Sequence, residues 1–129
     1  VVSAYDIVVD GTDNFAARFT LADVCEAAGK PLVTAAVGIF DGSVTTIVPG
    51  ATRADGRPAP RFRDLFPAAP PEGLVPTCEE TGILGALTGL VGSIQALEVL
   101  KLVTGVGQPL IGRLLLIDAR DMRFETIDF

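Results

Sequence analysis

Residues 77–104 constrain this chain more than any other stretch, because they spell a long helix with little polar surface to show to water. The run Ile83-Leu84-Gly85-Ala86-Leu87-Thr88-Gly89-Leu90-Val91-Gly92-Ser93-Ile94 is apolar almost throughout, and Gly105 supplies a stop. The run covers about a dozen residues before Gln95, Glu98 and Lys101, short of the roughly 20 needed to cross a bilayer. A buried helix of a soluble domain is therefore expected, with no membrane partner. Thr77-x-x-Glu80 fits a capping box at its start. Cys78 stands in the first turn, and a break is expected near Gly92. Gly82, Gly85, Gly89 and Gly92 share one face, where another backbone can approach closely. Tight packing against a sheet or a second helix is the expectation there, ahead of a ligand cradle.

What such a helix covers is read from the segments around it. Residues 5–10 (Tyr-Asp-Ile-Val-Val-Asp) are short, β-branched and apolar, as in a buried parallel strand. The turn Gly11-Thr12-Asp13-Asn14 follows, in which Asp13 or Asn14 can cap the next helix. That helix, 15–28, has helical apolar spacing through Phe19, Leu21, Val24 and Cys25 and ends at Gly29. Residues 31–37 and 43–48 read as strands joined by an Asp41-Gly42 hairpin turn, hence antiparallel. Residues 113–118 and 123–129 are two further strands, joined by Ala119-Arg120-Asp121-Met122. Between them and the first hairpin, prolines at 49, 58, 60, 67, 70, 71 and 76 mark a long irregular loop, a length usually reserved for function. The sum is an α/β fold with a mixed parallel and antiparallel sheet and flanking helices.

Composition removes several functions. Hydrophobic residues make up 49% of the 129, enough for a real core in one domain. Histidine is absent, which takes away the commonest general base and the commonest metal ligand. Ten basic residues against sixteen acidic, scattered along the chain, leave no nucleic-acid footprint. Two cysteines outside any CxxC are too few for a disulfide framework and suit a reduced cytoplasm. No signal-peptide pattern is present. With no initiator methionine, the chain reads as cut from a longer one.

Five stretches, in order, carry a family resemblance. They are Tyr5-Asp6-Ile7-Val8-Val9-Asp10-Gly11-Thr12-Asp13-Asn14-Phe15-Ala16-Ala17-Arg18, Gly29-Lys30-Pro31-Leu32-Val33, Leu65-Phe66-Pro67, the segment 76–98 with its Cys78, and Gly112-Arg113-Leu114-Leu115-Leu116-Ile117-Asp118-Ala119. Almost the whole chain thereby resembles the C-terminal half of a MoeB/ThiF/HesA-type adenylyltransferase, related to ubiquitin-activating enzymes. The resemblance implies that residues 1–129 are the C-terminal portion of one Rossmann-like adenylation domain, with 50–76 as its irregular crossover loop. No GxGxxG or Walker-type loop is present, so the ATP-binding half lies elsewhere and the stretch alone is expected to be inactive. The implied partner is a ubiquitin-fold sulfur-carrier protein with a C-terminal Gly-Gly, of the molybdopterin or thiamine type. The implied cofactors are ATP and Mg²⁺, and the implied assembly is a homodimer.

Adenylation joins a glycine carboxylate to the α-phosphate of ATP. That nucleophile is already ionised, so positioning and charge neutralisation suffice without histidine. The resemblance puts Asp13 beside the ATP phosphates and Mg²⁺, with Asn14 as its neighbour; the plain alternative is a helix cap. Cys78, at the family's cysteine position, is the second catalytic candidate, against the reading of a small buried hydrophobe. Asp10 is expected to be structural and Cys25 to be core, and Arg18 to be structural ahead of the alternative that it reaches the active face. Relatives often carry Cys-Tyr-Arg-Cys before Leu-Phe-Pro as half of a zinc site. Here Arg61-Phe62-Arg63-Asp64 stands instead, so structural zinc is not expected, and the loop would either be held by an Arg63–Asp64 network or be mobile. Arg53, Arg57, Arg61 and Arg63 make that loop locally basic, a guide for an acidic carrier or merely a solvated loop. Leu74, Val75 and Pro76 would line the channel for the carrier tail. The lost zinc cysteines, and Ala22 where relatives commonly carry asparagine, motivate the alternative of a non-catalytic docking or dimerisation module.

Overall fold

The computed structural model describes residues 1–71, 73–75 and 78–129, the Cys78 side chain excepted. A five-stranded sheet runs in the order β1 (Val8–Val9), β2 (Leu32–Val37), β3 (Asp41–Ile47), β4 (Arg113–Asp118) and β5 (Arg123–Asp128). β1 pairs parallel to β2, and every later pair is antiparallel. The mixed sheet expected from the sequence is thus present. The parallel pair arises because α1 (Phe15–Ala28) carries the chain back between β1 and β2, as a parallel connection requires. α1 has the expected bounds. Asn14 caps its start by accepting from Ala17 N–H at 2.8 Å, and Gly29 closes it in the left-handed region at φ 66°.

Alternation along the strands divides the core between two faces. On one face Phe19, Ala22 and Cys25 of α1 pack with Leu32, Ile47 and Phe62. On the other, Leu87 and Val91 of α4 (Gly85–Thr104) pack with Val33, Val44, Leu110 and Ile117. Each such side chain fully removed from water contributes about 1.5–3 kcal/mol. Polar groups fasten α4 as well. The buried Glu98 carboxylate accepts from Thr46 Oγ1 and from Leu110 N–H, each at 2.7 Å, and pairs with Lys101. Gln95 Nε2 donates to the carbonyls of Asp10 (2.9 Å) and Val33 (3.3 Å).

Several local expectations are corrected. β1 is short, and Val9 is half exposed, so it is not buried on both faces. Asp41 and Gly42 lie inside β3 rather than at the turn. The hairpin reverses two residues earlier, at Ile39-Phe40, closed by Gly38 N–H to Asp41 O at 2.8 Å. In α1, Val24 faces solvent while Ala22 takes the buried place. The helical segment breaks at 82–84 and not near Gly92: α3 (Cys78–Thr81) ends at Gly82 with φ 72°, and α4 then runs unbroken for 20 residues. By length and composition alone α4 could cross a membrane; here Leu97, Leu100 and Val103 leave one side of it exposed. The glycine face is open, since a Cβ at Gly85, Gly89 or Gly92 would meet nothing within 4 Å. The Thr77–Glu80 capping box and Pro76 lie outside the described residues.

Among its described residues the loop 49–76 contains one short helix, α2 (Phe62–Leu65), and its fastening differs from the expected Arg63–Asp64 network. Arg63 donates instead to both oxygens of Asp23 on α1, at 2.9 and 2.7 Å, and lies 4.8 Å over the Phe19 ring. Asp64 caps α2 with Arg61, whose guanidinium also lies 3.8 Å from Glu26. Phe62 packs edge-on against Phe19, with ring centroids 5.3 Å apart. The other two arginines are engaged as well: Arg57 with Asp55, and Arg53 with the Phe129 carbonyl. Arg57, Arg61 and Arg63 thus each meet a carboxylate, whereas Arg53 meets a neutral carbonyl.

Candidate functional site

The parallel strands β1 and β2 both end at one edge of the sheet, where a cleft of about 230 Å³ opens toward the first half of α4. Asp10, Gly11, Thr12, Asp13 and Arg18 form one wall, Ala35 and Val37 the floor, and Ile83, Thr88, Val91, Gly92 and Gln95 the other wall. Open α/β sheets bind ligands beyond the carboxyl ends of their parallel strands, which is where this cleft lies.

Asp10 is the hub of that wall. It is 2% exposed. Its Oδ1 accepts from Thr12 N–H at 2.9 Å and Thr12 Oγ1 at 2.6 Å, and its Oδ2 accepts from Thr34 Oγ1 at 2.7 Å. Arg18 reaches back from α1, donating from Nη2 to the Thr12 carbonyl at 3.0 Å, with its Nε 3.8 Å from Asp10 Oδ2. The structural roles expected of Asp10 and Arg18 fit this network.

Asp13 is left at the mouth of the cleft. The cap at the α1 terminus is made by Asn14, so Asp13 is not occupied as one. Its carboxylate takes a 3.2 Å bond from Asn14 Nδ2 and is otherwise exposed. Asn14 uses its oxygen on the Ala17 cap and its amide on Asp13. An exposed, oxygen-only ligand suits Mg²⁺, which binds through one or two carboxylates and keeps the rest of its shell for phosphates and water. Asp10 does not suit it, because three donors already fill its carboxylate. Cys78 belongs to α3, but its side chain lies outside what is described, and no distance relates it to Asp13. Cys25 is buried in the α1 core, where desolvation, reinforced by the Asp10 charge, pushes its thiol up. Among the described residues no three histidine, cysteine, aspartate or glutamate side chains gather as a metal cluster.

Thr34 and Gln95 are site residues that sequence reasoning missed. One lies inside a strand and the other inside an apolar helix, and no motif marks either. Only the register that brings β2 and α4 to the end of β1 shows that both meet Asp10.

The fold and cleft define an α/β protein with a ligand edge at the carboxyl ends of its parallel strands. Residues 1–129 match the ThiF family, and the chain belongs to it. It is 50% identical over its full length to the SAMP-activating enzyme E1 of Haloferax volcanii, of which it covers 45%. It is 42% identical over 98% of its length to the sulfur carrier protein adenylyltransferase of Thermus thermophilus, of which it covers 46%. The chain thus spans less than half the length of these curated relatives. Among solved structures, E. coli MccB in complex with MccA-N7isoASN matches 95% of this chain with a TM-score of 0.74 at 14% identity, over 38% of its own chain. MccB with ATP matches the same share with a TM-score of 0.70 at 13% identity, over 36% of its own chain. At such identity the likeness establishes the fold.

Proposed function

We propose that this chain is the C-terminal portion of an adenylyltransferase that activates the C-terminal glycine of a ubiquitin-like sulfur carrier. The observation that carries the reading is the placement of Asp13: a carboxylate released from capping duty and held at the mouth of a cleft on the ligand edge of the sheet. The names of the sulfur-carrier relatives and the family membership support the same reading. In the reaction, a carboxylate oxygen of the carrier's terminal glycine attacks the α-phosphorus of ATP. The bond from that phosphorus to the bridging oxygen breaks, and pyrophosphate leaves with the electron pair. Mg²⁺, held by Asp13, would supply neutralisation of phosphate charge. Asp13 contributes position and negative charge, Asn14 steadies its carboxylate, and α4 walls the cleft. The ionised nucleophile needs no general base, in keeping with a chain that has no histidine.

Activity belongs to the whole protein, of which this stretch supplies both walls and the floor of the cleft described above. Cys78, on α3, is assigned to handling of the carrier tail or its sulfur. Exposed Leu97, Leu100 and Val103 on α4 offer a surface for the homodimer. The alternative, a docking module without catalysis, draws on the substituted zinc positions. Arg63, Asp23, Phe62 and Phe19 supply a fastening at that place which uses no metal, and this weakens its premise.

Carrier-dependent ATP–pyrophosphate exchange by the full-length protein tests the reading. Asp13→Ala should lower exchange by about 10²–10³-fold, the scale of losing one well-placed electrostatic contact. Cys78→Ala should leave exchange intact. Full exchange by Asp13→Ala would refute the assignment. Carrier binding without any exchange in the wild type would favour the docking module.

A further inference from the structure

Arg18 is an uneconomical choice for stability alone. Its side chain is 12% exposed, its Nε is buried with no hydrogen-bond acceptor, and its nearest approach to Asp10 is a 3.8 Å pairing. A buried donor left unmade is costly, and a lysine or an apolar residue would avoid it. What the arrangement does achieve is local. The Thr12 N–H is held by Asp10 Oδ1 and the Thr12 carbonyl by Arg18 Nη2, so both polar groups of the residue before Asp13 are fixed by side chains. Asp10 is in turn fixed by Thr34 Oγ1 on β2, and its own carbonyl by Gln95 on α4. Gly11, which precedes Thr12, has nothing within 4 Å of where a Cβ would stand, so packing does not hold this turn. The side-chain clamp does.

We infer that Asp10 and Arg18 act as positioning residues that clamp the Thr12 peptide groups and so aim the Asp13 carboxylate into the cleft. The inference deepens the reading of Asp13 given above and rests on it. Both act through the turn that carries Asp13. Arg18 grips a carbonyl at one end of the turn, Asp10 grips an amide and a hydroxyl at the other, and Asp13 is carried between the clamp and the α1 cap. Residues that orient a metal-binding carboxylate typically cost 10–100-fold in metal affinity or activity when changed.

The test uses the full-length protein and the variants Arg18→Met, Arg18→Lys and Asp10→Asn, with Asp13→Ala alongside. The first readout needs neither metal nor nucleotide: amide hydrogen exchange of the peptide spanning residues 11–14. Arg18→Met and Asp10→Asn should speed exchange there while peptides of β3 and β4 keep their protection. Arg18→Lys, which can still reach the Thr12 carbonyl, should restore part of it. The second readout is the Mg²⁺ concentration that half-saturates carrier-dependent pyrophosphate exchange. It should rise about tenfold in Arg18→Met, with a smaller rise in Arg18→Lys. If Asp10→Asn fails to fold, the Arg18 pair decides alone. Unchanged exchange at 11–14 together with an unmoved Mg²⁺ requirement overturns the positioning role. Asp13→Ala separates the two levels: if it keeps full activity, the reading of Asp13 falls and the aim assigned to the clamp falls with it. If it is inactive while the Arg18 variants show wild-type Mg²⁺ dependence, only the positioning role falls.

Discussion

Gly42→Ala should destabilise the protein although glycine is a poor strand residue, and the reason can be worked from one contact. Gly42 lies buried in β3, opposite Val37 on one side and Ile117 on the other. A Cβ built there would stand 2.9 Å from Val91 Cγ2, whereas carbon atoms rest at about 3.5–4.0 Å. Val91 is 2% exposed and β-branched, with one preferred rotamer in a helix, so it cannot swing away. Either α4 lifts from the sheet by about 0.5–1 Å or the strand bends. Overpacking of this kind costs about 1–3 kcal/mol. The gain from leaving glycine returns about 0.5–1 kcal/mol, so the net loss lies between about 0 and about 2.5 kcal/mol and centres at about 1 kcal/mol. Urea unfolding of the wild type, Gly42→Ala, Val91→Ala and the double variant measures this directly. Val91→Ala alone should cost about 2 kcal/mol through the cavity it leaves. It also removes the colliding methyl, so Gly42→Ala in that background should be neutral or mildly stabilising. The expected coupling is at least about 1 kcal/mol. Simple additivity, to within about 0.5 kcal/mol, would refute the claim that Val91 seats on the bare backbone of β3.

Other outcomes follow from the same coordinates. Gly89→Ala and Gly92→Ala should each raise stability by about 0.5–1 kcal/mol, since nothing stands near the added Cβ. A loss at both, measured by the same urea titration of the full-length protein, would mean that another surface covers this face. Gly92→Leu should weaken ATP binding measured by calorimetry and Gly89→Leu should not, because only Gly92 lines the cleft. The Asp23 carboxylate is held below its ordinary 3.8, chiefly by the hydrogen bonds from Arg63. The help this pair gives to anchoring α2 is therefore fully present above that pH and fades as pH falls below it. Protease nicking within 49–66 should increase over that acid range and in high salt, and should be indifferent to chelators. Cys25, buried with its thiol pushed up, should resist iodoacetamide at neutral pH until the protein unfolds. Rapid native labelling, seen by mass spectrometry, would contradict the α1 core.

Elements whose signals are local were legible in the sequence. Asn14 and Gly29 bound α1 because a cap is made by a residue and its near neighbours, and the antiparallel pairing of β2 with β3 was read from the short connection between them. The hairpin tip was not legible. Its Ile39-Phe40 corner is held by tertiary contacts, with Ala119 N–H donating to the Phe40 carbonyl at 2.7 Å and Arg120 lying 4.5 Å over the Phe40 ring. Asp-Gly, the stronger turn signal, was drawn into the strand instead. The expected break at Gly92 failed for a related reason: a helix tolerates glycine in its interior, whereas Gly82 adopts the left-handed conformation that ends one. At the site, the turn by itself read as a helix cap, Asp13 was singled out by the family resemblance alone, and what surrounds it was not legible. Thr34 and Gln95 lie 24 and 85 residues from Asp10, and the Arg63–Asp23 pair spans 40. Separations of that size are set by sheet register, which no short pattern encodes.

The amide of Gln95 does something that the ladder between β1 and β2 does not: it grips one carbonyl from each strand at once. The spacing between the end of β1 and the neighbouring β2 is therefore gauged by a side chain of α4 and not by backbone pairing alone. Were α4 to slip along its axis by one turn, about 5.4 Å, the amide would leave both carbonyls and the gauge would be lost. Helix and cleft floor are in this sense keyed together like a spline in its groove. A body seated on the outer face of α4 would press on the same part that measures the opening beside Asp13.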